Sequence, residues 1–142
     1  MECPSVATFA AVNNTYTNNR LKLLPVNIGE TSQWGYPVND SNSDQWYLYH
    51  SCAFQTDTTY DLVLVDGRLR IACILQACLL CTTNCRILIH DFFNRPIYWI
   101  VLPFLKLEER ADTMALFSIR KDEKYETLLK EYISIYEKLP GF

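Results

Sequence analysis

Residues 60–91 read YDLVLVDGRLRIACILQACLLCTTNCRILIHD and contain the strongest structural pattern in the chain. The run at 60–66 is continuously aliphatic and β-branched, which is typical of a strand buried on both faces of a sheet. Gly67 ends this strand, residues 68–81 predict a largely apolar helix, and residues 86–91 predict a second buried strand. A strand, a helix and a strand in this order predict a right-handed βαβ unit with two parallel strands.

Weaker patterns flank this unit. Residues 6–12 predict a strand, and residues 21–28 predict a second strand, which Pro25 keeps short or near a sheet edge. The aromatic-rich residues 30–57 predict a structured loop with one short helix. The elements predicted downstream are a helix from Pro96 to Pro103, an antiparallel strand pair at 105–110 and 114–120, and an amphipathic helix at 124–139 with Leu128, Tyr132, Ile135 and Leu139 on one face.

The composition narrows the classes of partner. The chain has 142 residues, thirteen Lys and Arg against sixteen Asp and Glu, and a net charge of −3, so it lacks the basic excess of a protein that follows a nucleic-acid backbone. The longest apolar run, residues 71–81, is interrupted by Gln76 and is too short to span a bilayer. We therefore expect neither nucleic-acid binding nor a membrane span, and we leave the compartment open with a slight preference for the cytoplasm.

Two acidic residues stand where the two predicted parallel strands end. Asp66 ends the first strand, and Asp91 ends the second, with His90 before it and Asn94 three residues after it. Ligands of open α/β sheets bind at this edge. Asp66, Asp91 and Asn94 offer hard oxygen ligands for a cation such as Mg²⁺, and His90 is a candidate general base. The structural alternative, to which we give equal weight, is that both acids cap the following helices.

Three arginines and four cysteines carry further alternatives. Arg68, Arg70 and Arg95 offer guanidinium groups to an anion, although pairing with nearby acids is the more common role. Four cysteines fall between positions 73 and 85 and include one Cys-x-x-Cys pair at 78 and 81. Their spacing is wrong for a closed zinc site, so we predict buried thiols rather than metal ligands.

Three blocks resemble a poorly characterised family of class I methyltransferase-like proteins. They are residues 27–37 (NIGETSQWGYP), 61–73 (DLVLVDGRLRIAC) and 89–96 (IHDFFNRP), and the resemblance extends over about residues 20–138. It implies a Rossmann-like α/β fold with a mainly parallel sheet, helices on its faces and the C-terminal antiparallel strand pair.

The resemblance also implies a chemistry. In metal-dependent O-methyltransferases of the catechol and macrolide-sugar types, acids at the ends of the fourth and fifth strands hold Mg²⁺ against a substrate hydroxyl, and Asp66 and Asp91 occupy similar positions. This chain has Phe92 where such enzymes carry the third ligand, and Asn94 is the candidate substitute.

The chain lacks the glycine-rich turn with which such enzymes hold S-adenosylmethionine. Its four glycines are dispersed, and if residues 6–12 form the second strand, Asn13 or Asn14 replaces the acid that binds the ribose. The candidate cofactor contacts are Asn13, Gly29 at the end of the 21–28 strand, and Trp34, whose ring can stack on adenine. We expect the sequence to be a partial, N-terminally truncated methyltransferase-like domain spanning 1–142.

Three functional hypotheses follow from these observations. The first is methyl transfer from S-adenosylmethionine to a small or carbohydrate-like hydroxyl, impaired in this chain alone. The second is a non-catalytic Rossmann-like binding or interaction protein, and the third is a nucleotide-sugar or phosphate binder. Loss of the N-terminal part of the domain should expose apolar surface near residues 60–66. We expect residues 1–20 and the 30–57 loop, containing Trp34 and Trp46, to cover it, with a homodimer, a missing N-terminal segment or poor solubility as the alternatives.

Overall fold

The structure, a computed structural model, describes residues 22–142. The strands are β1 Leu62–Val65, β2 Arg86–Ile89, β3 Leu105–Ala111 and β4 Met114–Ile119, and the α-helices are α1 Tyr47–Ser51, α2 Arg70–Leu80 and α3 Glu123–Tyr136. The 3₁₀ segments are Gln33–Gly35, Ser43–Gln45, Cys52–Phe54 and Pro96–Phe104.

The βαβ unit predicted from residues 60–91 is confirmed. β1 pairs with β2 in parallel, from Leu62 opposite Arg86 to Val65 opposite Ile89, and α2 connects them. α2 is apolar on most sides because it is enclosed between the sheet and α3, and Ile71, Ile74 and Leu75 have no exposed surface. This unit carries both strand-end acids to the same edge of the sheet.

The prediction of a mainly parallel sheet is wrong for the part of the chain that the structure describes. The strand order is β1-β2-β4-β3, and the pairs β2–β4 and β4–β3 are antiparallel. A tight turn at Asp112 and Thr113 joins β3 to β4, and the returning strand β4 lies between β3 and β2, so it is antiparallel to both neighbours. The predicted terminal strand pair is confirmed as this hairpin.

The strand predicted at 21–28 is absent from the described residues 22–28. The carbonyl oxygen of Ile28 accepts a hydrogen bond from the indole Nε1 of Trp46 at 3.0 Å, and Pro25 has no N–H for a ladder. The strand predicted at 6–12 lies outside the described residues.

Two helical predictions need correction. Residues 96–104 form a 3₁₀ segment rather than an α-helix, and Pro103 inside it lacks the N–H that an α-helical hydrogen bond would need. α3 begins after Asp122, whose side chain accepts the N–H of Lys124, and it buries Leu129 and Ile133. Of the predicted stripe, Leu128 and Tyr132 pack against the core, whereas Ile135 is 56% exposed. No helix within residues 22–142 has the length and apolar character that a membrane crossing requires.

The two faces of the sheet differ. Val65, Ile87 and Phe117 belong to the core together with α2 and α3, whereas Leu62 and Leu64 on the opposite face are 55% and 61% exposed. The 30–57 loop is not the cover we predicted for this face. Trp46 is buried instead against Ile28, Leu69 and Ala72 beside the start of α2, and Trp34 is 67% exposed.

Candidate functional site

The carboxyl ends of β1 and β2 bring together four of the predicted side chains. Asp66 follows β1, His90 and Asp91 follow β2, and Arg70 lies in the first turn of α2 between them. His90 Nδ1 lies 3.3 Å from Asp66 Oδ1 and 3.7 Å from Asp91 Oδ2. The two acids therefore converge on one imidazole, as expected for strands that are parallel neighbours. We call these four residues the strand-end cluster.

Arg70 is the buried member of the strand-end cluster. Its side chain is 3% exposed, and Nη1 donates to the carbonyl oxygen of His90 at 2.6 Å. Nη2 donates to Asp66 Oδ1 at 3.2 Å, and Nη1 lies 4.0 Å from Asp91 Oδ2. One guanidinium group therefore links both acids and the backbone of the histidine, which fixes their relative positions.

Local backbone geometry aims Asp91 into the site. Asp91 has φ of +59°, a left-handed conformation that aspartate adopts more readily than most residues. The N–H groups of Phe92 and Phe93 both donate to the carbonyl oxygen of Thr113, at 2.8 and 3.3 Å. The β3–β4 turn thus holds the chain after β2, and Leu69, at φ +50°, adds a second left-handed residue just before Arg70. Such strained positions occur preferentially at functional sites.

Asn94 and Arg95 join the cluster through Asp91 alone. Asn94 Nδ2 lies 3.4 Å from Asp91 Oδ1, and Arg95 Nη2 lies 3.5 Å from Asp91 Oδ2. Asn94 is exposed, and it directs its amide donor, rather than its oxygen, at the acid. Asn94 is therefore placed as a hydrogen-bond donor to Asp91.

Arg68 stands apart from the acids. Its guanidinium carbon lies 4.1 Å from the centre of the Tyr36 ring, and its Nε atom is buried with no hydrogen-bond partner in the structure. With Arg70 and Arg95 it gives three guanidinium groups around two carboxylates. The edge is therefore electropositive, and Arg68 retains an unused donor.

An open cleft of about 300 Å³ adjoins Asp66. Its wall combines aromatic and polar groups, from Tyr49, Phe54, Tyr60, Asp66 and Arg68. A mainly apolar cavity with a few converging polar groups is the usual form of a small-molecule site, and this volume lies at the small end of the usual range.

The predicted cofactor residues lie in different places. Gly29 has φ of +98°, and its N–H donates to Asn27 Oδ1 at 3.0 Å. Trp34 is in the loop whose Tyr36 contacts Arg68, and it leaves most of its ring in solvent. Asn13 lies outside the described residues.

Sequence reasoning missed Tyr36 and the pair formed by His50 and Glu137. His50 Nε2 lies 3.2 Å from Glu137 Oε2, and His50 also lines the cleft. Burial lowers the pKa of His50 below 6.5, although Glu137 acts in the opposite direction. No local signal could have joined residues 87 positions apart, whereas Tyr36 lies inside one of the three family-like blocks.

The comparisons bear on the fold. No protein-family model matches the chain, and no curated protein matches it significantly. One solved structure that matches is a methyltransferase-like protein from Silicibacter pomeroyi DSS-3, with a TM-score of 0.74 and 23% identity, over 89% of this chain and 70% of that chain. The chain thus has a methyltransferase-like α/β fold.

Proposed function

We propose that this methyltransferase-like domain transfers a methyl group to a hydroxyl of a small molecule, with His90 as the general base. The observation that carries the proposal is the position of the imidazole. Nδ1 faces Asp66 and Asp91, while the side chain is 41% exposed and open to a substrate. A carboxylate at Nδ1 fixes the tautomer in which Nδ1 carries the proton, so Nε2 is free to accept one.

The proton then has a defined route. The substrate hydroxyl donates its hydrogen to Nε2, and its oxygen uses the released electron pair to form the bond to the methyl carbon. Asp66 and Asp91 stabilise the imidazolium, since both acids lie within 4 Å of Nδ1. When bound, S-adenosylmethionine would supply the methyl group from its sulfonium: the methyl C–S bond breaks as the O–C bond forms, the sulfur keeps that electron pair, and S-adenosylhomocysteine leaves. The proton later passes from His90 to water.

The residues do not fit the divalent cation predicted at this site. Arg70 places a permanent positive charge 3.2 Å from Asp66 and 4.0 Å from Asp91. Within residues 22–142 no three His, Cys, Asp or Glu side chains form a group that could hold a metal ion. The guanidinium takes the charge-neutralising position that a cation would need, so we route no step through a metal.

The residues do fit parts of S-adenosylmethionine. The guanidinium of Arg68, which lines the cleft, can pair with a carboxylate, and the exposed ring of Trp34 can stack on an adenine. The cleft is lined by Arg68 and by Asp66, which is also a member of the strand-end cluster.

Calorimetric titration with S-adenosylhomocysteine tests this proposal. Wild-type protein should bind it in the absence of Mg²⁺, and Arg68→Ala should weaken binding about tenfold, equivalent to about 1.4 kcal/mol. The matched control is Arg120→Ala, because Arg120 is an exposed arginine that directly follows β4. This variant should bind S-adenosylhomocysteine as the wild type does. Absence of binding by the wild type, or equal loss in both variants, would contradict the proposed cofactor site.

The non-catalytic alternative has one observation in its favour. The face of the sheet that carries Leu62 and Leu64 is exposed in the described chain, as expected of an interaction domain. A wild type that binds no S-adenosylhomocysteine but associates through this face would support that alternative.

A further inference from the structure

The exposed face of the sheet has an apolar centre that extends across three strands. Register places Leu64 beside Leu88 and Leu88 beside Leu116, all on the face opposite the core. Leu62 and Met114 extend this row into an open hollow of about 510 Å³. We call these five residues the leucine face.

The rim of the leucine face carries balanced charge. Asp61 and Glu109 contribute two acids, and Arg86 and Arg110 contribute two bases, all lining the same hollow. A rim with equal numbers of both signs does not suit an anionic membrane surface or a strongly charged partner. It suits a surface with the same distribution, because in a two-fold dimer each patch meets a copy of itself.

The size of the patch sets the expected strength of association. Three strands spaced about 4.8 Å apart extend about 10 Å from the first to the last, and the four-residue strands β1 and β2 are about 13 Å long. With its rim, such a patch falls below the roughly 800 Å² per partner of a standard interface. An association through it should therefore depend on concentration in the micromolar range rather than being permanent.

We propose that the leucine face is the surface through which two copies of this chain associate, sheet against sheet. Aligned sheets pack about 10 Å apart, and Leu64, Leu88 and Leu116 of each copy would fill that space. The rim acids of one copy would then lie near the rim bases of the other.

Sedimentation velocity of the full chain over about 1–200 µM tests the proposal. Wild-type protein should pass from monomer to dimer with increasing concentration. Leu64→Arg should raise the dissociation constant at least tenfold, and Leu62→Arg, also on the exposed edge strand, serves as a second variant if the first fails to fold. The matched control is Leu80→Arg, since Leu80 is a leucine of similar exposure (51% against 61% for Leu64) on α2, away from this face.

The result expected is a wild-type dimer that Leu64→Arg or Leu62→Arg weakens and that Leu80→Arg leaves unchanged, with melting temperatures showing that all variants fold. A wild type that stays monomeric to 200 µM would overturn the proposal. A dimer that Leu80→Arg weakens as much, or that neither sheet variant weakens, would overturn it as well. Protection of the leucine-face side chains from hydroxyl-radical footprinting in a monomer would assign the face to another part of the same chain, with the same consequence.

Discussion

Replacing Arg70 with leucine should destabilise the protein far more than replacing any other arginine of the site. The substitution removes the 2.6 Å hydrogen bond to the carbonyl oxygen of His90 and the 3.2 Å ion pair with Asp66. Leucine keeps an apolar stem but is shorter than arginine, so the loss of charge and hydrogen bonding sets a lower bound on the effect.

The expected loss in the free energy of unfolding depends on how exposed each partner of Arg70 is. A hydrogen bond from a charged donor contributes about 1.5–3 kcal/mol. The ion pair with Asp66 adds less than about 1 kcal/mol, because that carboxylate is 52% exposed and screened by water. Loss of the contact with the less exposed Asp91 brings the total to about 3 kcal/mol. At about 4 °C per kcal/mol for a chain of this size, the melting temperature should fall by about 12 °C.

Thermal unfolding followed by circular dichroism measures this effect, and Arg95→Leu is the matched control. Arg95 also lies four residues from the acid it contacts, but it is 39% exposed and makes one contact to Asp91 at 3.5 Å. Arg95→Leu should therefore lower the free energy of unfolding by less than about 1 kcal/mol. A second readout is Mg²⁺, which should raise the melting temperature of Arg70→Leu but not that of the wild type, because the variant leaves two carboxylates without a shared cation. Equal melting temperatures for the two variants would refute the assigned role of Arg70.

Three further predictions concern other parts of the molecule. Trp46→Ala should lower the free energy of unfolding in urea by about 3–5 kcal/mol, since the residue is 2% exposed. Trp34→Ala should lower it by less than about 0.5 kcal/mol. Similar losses in the two variants would contradict the observed packing. Because burial lowers the pKa of His50, below about pH 6.5 the unfolded chain takes up a proton that the folded chain does not, so stability should fall as the pH falls. His50→Asn should remove that part of the pH dependence, and an unchanged slope between pH 5 and 7 would count against it. Burial raises the pKa of the Cys78 thiol to about 12. Iodoacetamide at pH 8 should therefore alkylate Cys78 much more slowly in the folded protein than in urea, which mass spectrometry can measure. Equal rates would argue against the burial of Cys78.

The sequence was most informative where one local pattern had one structural solution. The unbroken apolar strands and the apolar helix between them predict the parallel pair β1–β2 and, through it, the meeting of Asp66 and Asp91. Because parallel strands end at the same edge, two sequence positions were enough to locate the site.

The errors arose where long-range contacts override local preference. Residues 22–28 have strand-like composition, but Trp46 takes the carbonyl oxygen of Ile28, and no sequence pattern relates these two positions. The expectation that the arginines pair with nearby acids is confirmed for Arg70 and Arg95, but no spacing rule shows that Arg70 would lie between both acids. The metal site stays a prediction from the acids alone, and the structure adds that Arg70 lies beside both of them.

Transfer of an isotope-labelled methyl group from S-adenosylmethionine to a panel of small hydroxylated acceptors tests the central claim most directly. The account predicts transfer by the wild type in the presence of EDTA, and a loss of at least 100-fold in rate in His90→Asn, the scale of general-base catalysis. Glu131→Gln, a change on the exposed surface of α3, should leave the rate unchanged. Transfer that requires Mg²⁺, or that continues at the wild-type rate in His90→Asn, would contradict the assignment of His90 as the base.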